Sequence, residues 1–119
     1  MGRARRLASV AIAALAAHSG NVSANYACAG PVGYLGVGQN GDLTVSIANS
    51  TPIHSICSMT SQGSYTLSVP ACKAAYAAIL AARLSGKSIT LYYNNEPLTC
   101  GTLPSWGAVP GTYFVEGPN

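Results

Sequence analysis

Charge is scarce in this chain: three acidic and six basic residues among 119. Three of the basic residues, Arg3, Arg5 and Arg6, crowd the N-terminus. Beyond residue 24 only Lys73, Arg83 and Lys87 face Asp42, Glu96 and Glu116, and the balance is neutral. No basic patch is left to neutralise phosphates, which argues against nucleic-acid binding. A glycosidase needs two carboxylates held as partners. Here the three acids fall in turn or terminal sequence, and nothing pairs them. His54 is the only histidine after residue 24, within Thr51-Pro52-Ile53-His54-Ser55. A hydrolase needs a nucleophile activated by a base, and this context reads instead as a loop or strand edge. No lysine-bearing glycine loop for phosphate is present. The cysteines lie 29, 15 and 28 residues apart with no C-x-x-C pair, so they do not read as a zinc site. The sequence implies no cofactor, no metal and no enzyme. The most apolar run, residues 7–17, is too short to cross a bilayer, so no membrane insertion is expected.

That run has another reading. Arg3, Arg5 and Arg6 precede it, and Val22-Ser23-Ala24 supplies small residues where a signal peptidase cuts. Residues 1–24 are expected to be a signal peptide, with cleavage before Asn25. Residues 25–119 then form a single small domain, secreted or periplasmic. All four cysteines, Cys28, Cys57, Cys72 and Cys100, fall within it, and an even count in a short exported chain implies two disulfides. Four cysteines allow three pairings. The preferred one joins Cys57 to Cys100, both beside strand ends, and Cys28 to Cys72, tying the helix to the N-terminal segment.

Periodicity supplies the elements. Five glycines between residues 30 and 41 mark either a flexible lead-in or a strand with bulges. Asn40-Gly41 is a tight-turn signal. Leu43, Val45 and Ile47 then alternate with Thr44 and Ser46, as in a half-buried strand. A short strand is expected over residues 53–59. Ser68 suits an N-cap, Pro70 a first helical turn and Gly86 a C-terminal cap, around an alanine-rich helix. Its buried stripe is expected to be Cys72, Tyr76, Ile79, Leu80 and Leu84. The strand Ser88-Ile89-Thr90-Leu91-Tyr92-Tyr93 follows, with Ile89, Leu91 and Tyr93 on one face. Asn94-Asn95-Glu96-Pro97 turns the chain, and residues 113–115 form a last strand.

The remaining polar chemistry is tyrosine and asparagine. Tyr92, Tyr93 and Asn94 gather at a strand end, and aromatic faces beside hydroxyls and amides suit sugars. Tyr76 and Tyr113 read as core or interface residues with their hydroxyls at the rim, and Trp106, among prolines, as a packing plug.

Ile56-Cys57-Ser58-Met59, the helix, and Gly86-Lys87-Ser88-Ile89-Thr90-Leu91-Tyr92-Tyr93 resemble the B subunits of subtilase cytotoxin and related pertussis-like toxins. The same stretches also resemble small exported bacterial proteins with an alanine-rich helix between cysteines. The resemblance implies an α+β, OB-like fold: a small bent antiparallel sheet or barrel with one helix. It also implies a homo-pentamer that binds glycans and carries a separate catalytic A subunit, with Tyr93 at the sugar site. The serine that holds sialic acid in those subunits aligns with Gly30 or Pro31. The leading expectation is thus a secreted, non-catalytic glycan-binding protein. The alternative is an exported structural or interaction protein, an inhibitor or envelope-associated factor, with no glycan site.

Overall fold

The computed structural model of the protein describes residues 25–94 and 98–119. The expected signal peptide lies outside these residues, as do Asn95, Glu96 and Pro97 of the expected turn. Five strands and one long helix follow the chain: β1 (Tyr26–Val37), β2 (Asp42–Ile47), β3 (His54–Ser58), α1 (Val69–Ser85), β4 (Ser88–Tyr93) and β5 (Thr112–Glu116), with a 3-10 turn at Cys100–Thr102 before β5. The result is an α+β domain with one antiparallel sheet, ordered β3-β2-β1-β4-β5.

The glycine-rich segment becomes strand, and its glycines explain the sheet's shape. β1 serves two neighbours in turn. Residues from Tyr26 to Pro31 pair with β4, and those from Val32 to Val37 pair with β2, across a register shift between Val32 and Tyr34. At the changeover Gly30 has φ +153°, and a Cβ there would lie 2.8 Å from Ile47 Cγ2. Only glycine meets both demands cheaply. The bend and shift roll the sheet, as bulges do. Its far edge then meets the chain entering β5. Ser55 of β3 forms a parallel bridge with Ala108, as Ser55 N–H donates to Gly107 O at 2.8 Å and Val109 N–H to Ser55 O at 2.8 Å. The sheet is therefore barrel-like.

Inward parity follows the sequence. Leu43, Val45, Ile47, Ile89, Leu91 and Tyr93 are fully buried, with Ile56, Ile79 and Val109 completing the core. α1 begins where expected: the Ser68 hydroxyl accepts from Ala71 N–H, and Pro70 lies in the first turn. It ends at Gly86, left-handed at φ 68°, whose N–H reaches the Ala82 and Arg83 carbonyls. The buried stripe differs from expectation. Cys72, Ala75, Ile79 and Ala82 face the core, Tyr76 and Leu80 are half-buried, and Leu84 is 79% exposed. A helix lying close on a curved sheet selects small side chains for its contact line, so alanines displaced larger residues.

The disulfides also correct the expected pairing. Cys28 bonds Cys100, and Cys57 bonds Cys72. Cys57 is next to last in β3, as its expected place beside a strand end requires, but its buried side chain faces Cys72 on the helix stripe. Cys28 points inward from β1 opposite Leu91 of β4, where the chain returning from β4 brings Cys100. Two disulfides suit an oxidising, extracytoplasmic compartment. Among the described residues no helix is long and apolar enough to cross a membrane.

Candidate functional site

Alternation along β4 sends Tyr92 and Tyr93 to opposite faces, and they meet different fates. Tyr93 enters the core, fully buried, and stacks on Tyr26 with ring centroids 5.2 Å apart. Its hydroxyl lies 2.7 Å from His54 Nε2, while His54 Nδ1 lies 2.8 Å from Pro52 O. A carbonyl only accepts, so Nδ1 carries the hydrogen and Tyr93 O–H donates to Nε2. Burial pushes the His54 pKa below its ordinary value, against a smaller opposing effect of the Pro52 carbonyl. Burial also pushes Tyr93 far up, with Tyr26 adding to it. Both groups stay neutral at physiological pH. The pair is a clasp between the start of β3 and the end of β4, and its burial is at odds with the sugar-contacting role expected of Tyr93. His54 does open a strand at the sheet's edge, but inside the core.

Tyr92 remains outside. Its ring meets Phe114, directly opposite on β5, edge to face at 5.4 Å, and Tyr113 at 6.2 Å. The register shift between Tyr92 and Tyr93 makes Tyr113 the extra residue on β5. That offset lets both aromatic neighbours approach Tyr92. The Tyr92 hydroxyl donates to Glu116 Oε1 at 2.7 Å, and this bond is the main reason its pKa rises. Asn25 Nδ2 approaches the Tyr113 hydroxyl at 3.5 Å. Phe114 is 53% exposed. Tyr92, Tyr113, Phe114 and Glu116 together line a shallow hollow of about 360 Å³.

Asn94 is exposed just beyond the strand, its backbone N–H bonded to Gly111 O, but it does not line the hollow. The expected group of Tyr92, Tyr93 and Asn94 is thus divided, and Tyr92 alone joins the aromatic face. Phe114, Tyr113 and Glu116 were not legible as site residues. The signal available was the pairing of two short strands, Thr90-Leu91-Tyr92-Tyr93 and Thr112-Tyr113-Phe114-Val115-Glu116, with aromatic residues on matching outward positions. A second, apolar groove of about 430 Å³ adjoins it, where Ala71, Ala74 and Ala78 of α1 face Tyr113, Phe114 and Val115.

Rings with exposed faces offer C–H stacking, and a carboxylate accepts hydrogen bonds from hydroxyls. The same carboxylate repels an anionic ligand, and no cation lines the hollow to offset it. No described group of three or more His, Cys, Asp or Glu is placed to hold a metal. Compared with family models, characterised proteins and solved structures, the chain matches none.

Proposed function

We propose that this chain is an exported, non-catalytic binding protein that recognises neutral glycans through the hollow of Tyr92, Tyr113, Phe114 and Glu116. The observation that carries the reading is the exposed aromatic cluster with one carboxylate fixed at its edge. A sugar ring stacks on Phe114 or Tyr113 and donates hydroxyl hydrogens to Glu116. Glu116 disfavours sialic acid, consistent with Gly30 or Pro31 standing where the toxin subunits have their serine.

The reading includes an OB-like barrel. The strand order, the helix between β3 and β4 and the Ser55–Ala108 bridge support it. Export through the N-terminal leader agrees with the two disulfides. By its resemblance to toxin B subunits, five copies form a ring and carry a separate catalytic subunit. Sedimentation of the mature protein as a monomer would remove that part. A glycan array of neutral and sialylated structures tests the central reading: binding is expected on neutral glycans, and a silent array contradicts it.

A second reading rests on the alanine-lined groove between α1 and β5. It makes the chain an exported interaction protein whose ligand is an apolar segment of another protein. Recovery of one stoichiometric protein partner, together with a silent array, favours it.

A further inference from the structure

The Tyr92 hollow and the alanine-lined groove are not independent, because Tyr113 and Phe114 line both. Two features of β5 account for this. It is the last strand of the sheet, so no further strand separates the hollow from the groove beside α1. Its register shift also makes Tyr113 the extra residue, which approaches Tyr92 while Val115 lines the groove. The sole tryptophan, 62% exposed and not the packing plug its prolines suggest, borders neither concavity.

The two halves differ in chemistry. In the hollow the Tyr92 hydroxyl holds Glu116 Oε1 at 2.7 Å. The α1 wall of the groove is Ala71, Ala74 and Ala78, three and four residues apart on one helix face. Their methyl groups are short, and the space that longer side chains would fill stays open, at about 430 Å³. Leu67 adds to the lining, and its place is set by the residue before it. Thr66 donates its N–H and its hydroxyl to Pro110 O, at 3.1 and 2.7 Å. The Cys57–Cys72 disulfide fastens α1 alongside. The groove is thus preformed, and its size suits a small apolar group. No lysine, arginine, aspartate or glutamate lines it.

We propose that hollow and groove form one site for a neutral glycoside with an apolar aglycone, taken up free from solution. The sugar rests in the hollow, the aglycone lies in the groove, and Tyr113 and Phe114 touch both. This rests on the sugar reading of the Tyr92 hollow and adds the class of glycoside it takes. The shared rings decide the occupant. A longer sugar chain gains nothing from the groove, since alanine methyls offer its hydroxyls no partner. An apolar protein segment fills the groove but has no use for Glu116. A fatty acid brings a carboxylate that Glu116 repels. An uncharged, hydroxylated head on an apolar tail uses both halves.

Trp106 lies outside the site, so calorimetry rather than its fluorescence reads binding. The protein is titrated with maltose, hexyl β-maltoside and octyl β-maltoside, and with lactose and its hexyl and octyl β-glycosides, all below micelle-forming concentrations. In at least one series affinity should rise about tenfold or more from disaccharide to octyl glycoside, given about fourfold for each fully buried methylene. Octyl tetraethylene glycol, with the same chain and no sugar, should bind about fivefold or more weakly than that octyl glycoside, as the loss of stacking on the rings implies. Ala74 is exposed and lines the groove, so Ala74→Glu puts a charge there without disturbing the core. It should abolish the gain with chain length and leave the free disaccharide unchanged. Ala77→Glu, exposed on α1 but outside the groove, should behave as wild type. Tyr92→Ala should weaken disaccharide and glycoside alike. If disaccharide and octyl glycoside bind equally well, the proposal is overturned and the sugar reading stands. Octyl tetraethylene glycol binding as tightly as the glycosides, or no binding in either series, overturns both. A folded Ala74→Glu protein that keeps the gain with chain length overturns the proposal as well.

Discussion

His54 and Tyr93 set the residue scale, because burial keeps both neutral in the core. In Tyr93→Phe the ring stays and the hydroxyl goes, leaving His54 Nε2 buried without its donor. The expected stability loss is about 1–3 kcal/mol, read by urea unfolding, with no change at Tyr92. An unfolding midpoint equal to wild type would show that the bond is not made. The sign of the pH effect follows from the lowered His54 pKa. Below its ordinary value of 6.5 the unfolded chain takes up the proton first, so stability present at neutral pH is lost as pH falls through and below 6.5. Unfolding midpoints at pH 7.5 and 5.5 should fall in that order, and the drop should shrink in His54→Gln. The shared face of Ile89, Leu91 and Tyr93 was legible in the sequence, but that this face turns into the core and takes Tyr93 with it was not. That His54 is its partner was not legible, since the two are 39 residues apart and meet only once the sheet rolls.

At the scale of elements, the helix ends were legible and the helix face was not. Capping at Ser68 and Gly86 is local chemistry, whereas the buried stripe depends on how closely α1 approaches a curved sheet. Ala82→Leu should therefore overpack the contact and cost about 1–3 kcal/mol, while Leu84→Lys should change stability by less than about 0.5 kcal/mol. Thermal denaturation of the two variants checks the rotation; the reverse ranking would restore the stripe expected from side-chain size. The same closeness selects Cys57–Cys72, which spans 15 residues from β3 to α1. Replacing both with serine should cost about 3 kcal/mol. Peptide mapping without reductant should recover Cys28 with Cys100 and Cys57 with Cys72. A Cys57–Cys100 peptide would contradict the fold as described. Strand positions along β2 and β4 were readable from alternation, and those of β3 and β5 as short apolar or aromatic runs between turns. The pairing of cysteines was not, because it depends on the order in which those strands assemble.

On the scale of the whole molecule, a nearly uncharged domain presents two aromatic faces on one rolled sheet. Tyr92, Tyr113 and Phe114 gather where β5 slips against β4; Tyr34 and Trp106 meet at 5.6 Å where the loop before β5 bonds along β3. Tyr92 was picked out by sequence. Its companions were not, because an outward aromatic gains meaning only from the strand beside it. The two disulfides and the parallel bridge at Ser55 hold these faces in place without a large core. Neutrality leaves stacking and hydrogen bonding as the means of recognition. The most direct measurement of the central claim is calorimetric titration of neutral oligosaccharides into wild type, Tyr92→Ala and Phe114→Ala. Wild type should bind, and each variant should bind about fivefold or more weakly, as the loss of an aromatic contact implies. No heat from wild type with any neutral oligosaccharide, or equal affinity in all three proteins, would contradict the account.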